Sequence, residues 1–196
     1  MAIYMMRDDT QTYTYSYDFK WKTTSQILQE RSELLGSIQV NSDWVTWGNN
    51  SDLRIKKDIP SLATAKRITI SWTVVASNGT QNAWQLAIGK WTSWGTGNCA
   101  YDVYGSYYGW LCVTYYNGTS YYWNVVGYST WWNTYKPTLT IDLENKTMTW
   151  VLSWFSNSTY SLSDTDVANI RQFEYLFVYT SLNYSTVSDV SLTIEY

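Results

Sequence analysis

Histidine is absent from this chain of 196 residues. Its absence removes the usual general base of hydrolases and the commonest metal ligand of proteins, and it excludes a Ser-His-Asp triad in the usual form. Basic residues are also few, because 13 Lys and Arg stand against 16 Asp and Glu, a net charge of −3. With no basic stripe to meet phosphates, we expect no nucleic-acid partner.

Long apolar runs are missing as well. No run reaches the roughly 18 residues that a membrane-spanning helix needs, so we expect no membrane insertion. Residues 1–20 lack the positive end followed by an apolar stretch that marks a signal peptide. The expected location is a virion or an extracellular surface reached without a signal peptide, for example by virion assembly and lysis, and otherwise the cytoplasm.

Aromatic residues are abundant, with 13 Trp and 19 Tyr, whereas there are only two Pro. Aromatic and β-branched side chains fit the pleated, half-buried surface of a sheet. Few long helical patterns are present, so the predicted class is all-β. The length suffices for one domain with a full core, and no internal repeat or interdomain linker is visible.

Residues 138–152 predict a hairpin with one buried face. Apolar and polar residues alternate along both halves, which is typical of half-buried strands. A tight turn at Asn145-Lys146 would set Ile141 opposite Trp150. The six residues of the apolar face are Leu139, Ile141, Leu143, Met148, Trp150 and Leu152. A sheet with one apolar face needs a second layer to cover it, so a two-sheet sandwich is predicted.

Other segments also show strand patterns. Residues 38–47 predict one strand, and Asn78-Gly79 predicts a hairpin turn between strands at 67–75 and 84–88. Residues 173–179 are apolar except for Glu174 and predict a central strand. The alternation that runs from Val190 to Tyr196 predicts a C-terminal strand within a sheet.

The segment 1–37 is predicted to be an N-terminal arm followed by one short helix. Residues 25–36 have helical spacing of apolar residues, with Ser25 as cap and Gly36 as end. The arm predicts a strand that pairs within its own domain or with another subunit. We expect a homo-oligomer in which the arm helps to form the contact. Its buried side would consist of Tyr13, Tyr15, Tyr17 and Phe19.

Four segments, in this order, resemble strands of the concanavalin A-like, laminin G-like sandwiches. They are RITISWTVV, NAWQLAIG, TLTIDLENKTMTWVLSW and VSDVSLTIEY. The resemblance covers residues 38–196 and implies a two-sheet antiparallel jelly roll. The opening MAIYMMRDD resembles the start of bacteriophage tail or fibre proteins.

Residues 89–134 are rich in Gly, Tyr and Trp, and they hold the candidate ligand site. Asn117-Gly118 predicts a type I′ hairpin in which neither face is clearly apolar. Such strands are either covered on both sides or display rings to a ligand, and flat rings with polar neighbours suit sugars. The candidate sugar-binding residues are Trp91, Trp94, Tyr121, Trp123, Trp131 and Trp132. The alternative is that these rings fill the core.

Asp164, Asp166 and Asn169 form a dense cluster of side-chain oxygens. The laminin G-like resemblance implies Ca²⁺ bound at loop rims. The same residues fit a polar turn that caps a short helix, and we favour this second interpretation. No other cofactor is expected.

The two cysteines, Cys99 and Cys112, would lie opposite each other if the chain turned at Gly105-Ser106. They would then be within reach of a disulfide. In an intracellular or virion protein they would instead be free thiols, and the sequence favours neither interpretation.

The paired carboxylates of a glycosidase cannot be placed. Asp142 and Glu144 are two apart, but Glu144 sits at a turn, and no Glu lies between Glu33 and Glu144. The predicted function is therefore non-catalytic: a structural or adhesive, receptor-binding component of a phage tail or fibre that binds surface carbohydrate. One alternative is a cellular carbohydrate-binding module or glycoside hydrolase. Another is a purely structural coat subunit that binds only copies of itself.

Overall fold

The structure is a computed structural model that describes residues 11–19, 22–30, 33–35, 38–40, 45–47, 51–56, 59–75, 84–89, 99–100, 102–105, 110–116, 121–128, 134–152, 157–180 and 186–196. Most of these residues are in strands. In chain order the elements are β1 (Thr12–Asp18), α1 (Thr24–Glu30), β2 (Glu33–Leu35), β3 (Ile38–Val40), β4 (Val45–Trp47), β5 (Ser51–Lys56), β6 (Arg67–Val75), β7 (Trp84–Gly89), β8 (Cys99–Ala100), β9 (Asp102–Gly105), β10 (Trp110–Tyr116), β11 (Tyr121–Tyr128), β12 (Thr134–Tyr135), β13 (Pro137–Asp142), β14 (Thr147–Leu152), β15 (Ser158–Ser161), α2 (Asp164–Ile170), β16 (Tyr175–Thr180) and β17 (Thr186–Glu195).

The strands of the described residues form three antiparallel sheets. The largest has nine strands in the order β15-β14-β13-β6-β17-β4-β3, with β1 also paired to β17 and β12 to β6. A five-stranded sheet has the order β2-β5-β16-β7-β8, and a three-stranded sheet has the order β11-β10-β9. The C-terminal strand β17 and the apolar strand β16 are therefore both internal strands, as predicted.

One apolar core, formed by described residues, joins the two larger sheets. Ile70 on β6 and Leu192 on β17 belong to the same buried cluster as Ile88 on β7 and Leu176 on β16. Each of these four side chains has no exposed surface. Because residues from both sheets bury one another, the predicted two-layered sandwich is confirmed.

The hairpin at residues 137–152 has the predicted buried face but a different register. The six predicted residues are all buried, with 3% exposure or less. However, Leu139 lies opposite Trp150 and Ile141 opposite Met148, two residues away from the predicted pairing. A connection of four residues replaces the tight turn. The main-chain N–H of Asn145 donates to Asp142 Oδ1 over 2.8 Å, and Lys146 adopts φ of 52°.

The predicted helix 25–36 is wrong in its second half, and its cap is different. Helix α1 ends at Glu30, and Leu34 lies in β2, opposite Leu53. Thr23, rather than Ser25, caps the helix. Its hydroxyl accepts from the N–H of Gln26 over 3.2 Å, while Gln26 Oε1 accepts from the N–H of Thr23 over 2.8 Å, which is a capping box. The second short helix, α2, lies where Asp164, Asp166 and Asn169 were expected to form the polar turn that caps a short helix.

Two strand pairings also differ from prediction. Residues 38–47 contain two strands, β3 and β4, which pair with each other. Strands β6 and β7 were expected to form a hairpin, but they lie in different sheets. The proposed turn at Asn78-Gly79 lies outside the described residues.

The N-terminal strand pairs within its own domain. Strand β1 runs antiparallel to β17, from Thr12 opposite Glu195 to Asp18 opposite Asp189. Tyr17 and Phe19 are buried in the core of the same chain, and their rings meet edge to face, with centroids 4.8 Å apart. The expectation that a second subunit buries these two side chains is therefore wrong.

Candidate functional site

Strands β10 (Trp110–Tyr116) and β11 (Tyr121–Tyr128) together are called the aromatic hairpin. Its register sets an aromatic residue opposite an aromatic residue at three positions. The pairs are Tyr116 with Tyr121, Tyr115 with Tyr122, and Trp110 with Tyr128. Strand β9 pairs with the other side of β10, so the hairpin belongs to the three-stranded sheet.

The register of β10 and β11 differs from the predicted one. Tyr116 lies opposite Tyr121, two residues away from the pairing that a type I′ turn at Asn117-Gly118 would give, and this turn itself lies outside the described residues. Two of the predicted sugar-binding residues, Tyr121 and Trp123, lie at alternate positions of β11 and therefore on the same face. The other four, Trp91, Trp94, Trp131 and Trp132, lie outside the described residues.

The cysteines are not opposite each other. Cys112 on β10 has Tyr104 as its partner, and Cys99 on β8 has Gly89. The expected turn at Gly105-Ser106 is wrong, because Gly105 is itself a strand residue opposite Leu111. The strand register therefore gives no support to a disulfide between Cys99 and Cys112, and the choice between a disulfide and free thiols stays open.

The oxygen cluster at residues 164–169 lies on helix α2. The hydroxyl of Ser163 accepts from the N–H of Asp166 over 3.2 Å, and Asp166 Oδ2 accepts from the N–H and the hydroxyl of Ser163, each over 2.7 Å. Asp166 thus completes the capping box of the helix and is buried.

Asp164 is exposed and faces a different neighbour. It pairs with Lys146 over 2.6 Å, and the hydrogen bond and charge of this lysine lower the pKa of the Asp164 carboxyl. Residues two apart on a helix point in roughly opposite directions, so Asp164 and Asp166 diverge, and Asn169 lies in the last turn. Within the described ranges, no three His, Cys, Asp or Glu side chains come together. Calcium binding stays a prediction that this geometry does not favour.

A charged cluster lies on the outer face of the nine-stranded sheet. Arg67 donates to Asp142 Oδ2 and to Glu195 Oε2, each over 3.2 Å. Partial burial by itself favours protonated Asp142. Hydrogen bonds from Asn145 and Arg67 outweigh it and lower the pKa of Asp142. The Asp142 hydrogen bond is also the main cause that raises the pKa of Arg67. A carboxyl kept ionised in this way is a poor general acid near neutral pH.

The same outer face carries an alignment that the sequence analysis did not find. Successive strand registers set threonine beside threonine across six neighbouring strands. The row runs through Thr14, Thr193, Thr69, Thr140, Thr149 and Thr159, on β1, β17, β6, β13, β14 and β15. The next row along the strands contains Ser16, Ser191, Ser71, Thr138 and Val151. We call these two uncharged rows the hydroxyl face.

Neither α1 nor α2 is long and apolar enough to cross a membrane, and no other helix occurs in the described residues.

The chain is similar in fold to several solved proteins. A carbohydrate esterase of the Shiga toxin-encoding bacteriophage phi24B has 14% sequence identity and a TM-score of 0.65, over 94% of this chain and 99% of the other. A seed lectin of Lotus tetragonolobus has 10% identity and a TM-score of 0.65, with the same shares covered. Peanut lectin has 10% identity and a TM-score of 0.66, over 94% of this chain and 97% of the other.

No protein-family model and no curated protein sequence matches the chain. At these low identities, the structural likeness concerns the fold alone. The fold is a concanavalin A-like β-sandwich, as the resemblance of the four strand segments implied.

Proposed function

We propose that this protein is a non-catalytic carbohydrate-binding β-sandwich and that the aromatic hairpin is its binding surface. The observation that carries the proposal is the register of β10 and β11, which sets aromatic residues opposite one another at three positions. Ring faces offer flat apolar surface to sugar rings, while tyrosine hydroxyls can orient sugar hydroxyls. The likeness to two seed lectins over 94% of the chain supports the same class of ligand.

A glycan array tests the proposal. The wild-type protein is expected to bind a subset of glycans. Tyr122→Ala and Trp123→Ala probe the two faces of β11 separately, because adjacent residues of a strand point to opposite sides. We expect one of the two variants to lose at least tenfold in affinity. Thr165→Ala, at an exposed position of helix α2, is the control.

Two results would contradict this assignment. One is a wild-type protein that binds no glycan on the array. The other is glycan binding that survives in both hairpin variants while their circular dichroism remains that of the wild type.

We further propose that the protein is a component of a virion, in a phage tail or fibre. Support comes from the opening MAIYMMRDD and from the phage origin of the similar esterase. Mass spectrometry of purified virions tests the location. A chain present in virions that binds no glycan would instead be a structural coat subunit. A chain found only in cells would be a cellular carbohydrate-binding module.

A second candidate function is hydrolysis of a carbohydrate ester or glycoside, which the likeness to the phage esterase favours. The chain contains no histidine, so an esterase triad of the usual type cannot form. We therefore expect no turnover of p-nitrophenyl acetate or of acetylated polysaccharide above the rate of a heat-unfolded sample. Turnover that scales with folded protein would make this the preferred function.

A further inference from the structure

The hydroxyl face lies on the outside of the sheet and carries no charge, although charged rows flank it on both sides: Glu195, Arg67 and Asp142 on one side, Asp18 and Asp189 on the other. Charged residues on a solvated sheet face discourage association, and the two hydroxyl rows lack them. Here the hydroxyls bond to one another instead: Ser71 and Ser191 are 2.6 Å apart, and Thr149 and Thr159 are 3.1 Å apart. Val151, on the same face, is the exposed large hydrophobic residue of the described part of the chain.

The shape of this face limits what can cover it. Neighbouring strands of a sheet are rotated by about 20–25° relative to one another, so a row across six strands turns through roughly 100°. A flat, rigid ligand could touch only a few of the threonines at once. A second sheet with the same twist can follow the whole row, as the two layers of a sandwich do. A second copy of this chain provides such a sheet.

The charged row beside the hydroxyl face indicates how two copies would be arranged. In strand order it contains Glu195 on β17, Arg67 on β6 and Asp142 on β13. A two-fold axis that runs along the strands between β6 and β13 sets Arg67 of one copy opposite Asp142 of the other, twice. An axis on β6 would set Arg67 against itself. An axis between β17 and β6 also pairs opposite charges, but it overlaps only four of the six strands.

We propose that the hydroxyl face is a homodimer interface, with its two-fold axis along the strands between β6 and β13. In this arrangement Thr69 of one copy lies opposite Thr140 of the other. Such an interface is self-complementary, as a two-fold axis requires. This inference is independent of the carbohydrate-binding proposal, because the aromatic hairpin belongs to a different sheet.

The size of the face predicts a weak dimer. Six strands spaced about 4.8 Å apart, over about six residues of strand length, cover a footprint of roughly 500 Å² on each copy. The total of about 1,000 Å² lies at the lower limit for specific interfaces. The dimer is therefore expected to depend on protein concentration, and the two Arg67–Asp142 contacts should weaken as salt is added.

Sedimentation equilibrium over a wide range of concentrations tests the interface. The wild type is expected to form dimers, and Thr69→Lys or Thr140→Lys should raise the dissociation constant at least tenfold by placing like charges at the centre. Thr165→Lys adds the same charge at an exposed position of α2 and should leave the constant unchanged. Thermal unfolding checks that each variant is folded.

A cross-linking experiment tests the position of the axis. Thr14→Cys on β1 and Thr159→Cys on β15, which the proposed axis sets opposite each other while like residues lie about 24 Å apart, are prepared separately, mixed, and treated with a short thiol-to-thiol cross-linker. The mixture should give more covalent dimer than either variant alone, with the wild type as the background from Cys99 and Cys112. Equal cross-linking of one variant by itself would overturn the axis.

A wild type that stays monomeric at every concentration would overturn the interface, as would dimers that Thr69→Lys leaves intact. If the wild type is monomeric and Thr69→Lys abolishes binding to a soluble glycan, the face is a ligand site instead.

Discussion

Trp150 offers the sharpest test of how the core is built. It is the largest fully buried side chain in the described residues, and its indole N–H has no hydrogen-bond partner there. Trp150→Ala removes about 150–250 Å² of buried surface, which at about 25 cal/mol per Å² corresponds to about 4–6 kcal/mol. The same substitution removes a buried N–H that has no partner, which raises the free energy of unfolding by about 1–3 kcal/mol. The expected net loss in the free energy of unfolding is about 3 kcal/mol.

Trp150→Phe separates these two effects. It retains an aromatic ring, so the lost burial is about 1–2 kcal/mol, while the unpartnered N–H is removed as in the alanine variant and returns about 1–3 kcal/mol. The net change is therefore expected to lie between a loss of about 1 kcal/mol and a gain of about 2 kcal/mol. A tryptophan whose N–H was hydrogen-bonded would lose stability in both variants.

Urea unfolding followed by far-UV circular dichroism measures these differences, provided that the slope m is unchanged between the proteins. Val151→Ala is the matched control, because Val151 is the next residue of β14 and is 38% exposed on the opposite face. It should change the free energy by no more than about 0.5 kcal/mol. The reasoning fails if Trp150→Phe costs as much as Trp150→Ala, or if Trp150→Ala costs less than Val151→Ala.

Two further predictions concern the hairpin connection. Asp142 has a lowered pKa in the folded state. Its carboxylate therefore stabilises the fold above the unfolded-state pKa of about 3.9, and this contribution is lost as the pH falls through the lower folded pKa. The wild type should accordingly lose more stability on acidification than Asp142→Asn does, and equal losses in pH-dependent unfolding would contradict this. Lys146 has a left-handed backbone with φ of 52°. A left-handed backbone costs a residue with a β-carbon about 1–2 kcal/mol, so Lys146→Gly should relieve this cost, whereas Lys146→Val, with its branched β-carbon, should lower stability; thermal unfolding that ranks valine above glycine would be inconsistent with the observed turn.

The alternation of apolar residues predicted which side chains are buried but not how the strands pair. Trp150 and Ile141 are both buried as expected, yet each lies opposite a different residue. A shift of one residue would reverse the face, whereas a shift of two leaves every side chain on the same face. The hydrophobic pattern therefore cannot distinguish two registers that differ by two residues. The turn decides the register, and the hydrogen bond from Asn145 to Asp142 favours the longer connection.

Pairing between distant segments was harder to predict than the strands themselves. The helical spacing of residues 25–36 is compatible with one helix, but Leu34 and Leu35 pair with β5 instead, because tertiary contacts override a local preference. In the same way, Asn78-Gly79 is a local hairpin signal, whereas β6 pairs with β13 and β17, and β7 pairs with β16. The residues of a turn therefore do not predict which sheet a strand joins.

The hydroxyl face shows the same limit at the level of a candidate site. Threonine at alternate positions of a strand predicts only that these residues face outward, as Thr69 and Thr140 do. Their arrangement in one line depends on five separate registers, and a shift of two residues in any one of them would break the row without changing which face is polar. An aligned row of six is thus a property of the assembled sheet. For this reason the hydroxyl face, on which the proposed homodimer rests, has no recognisable motif in the sequence.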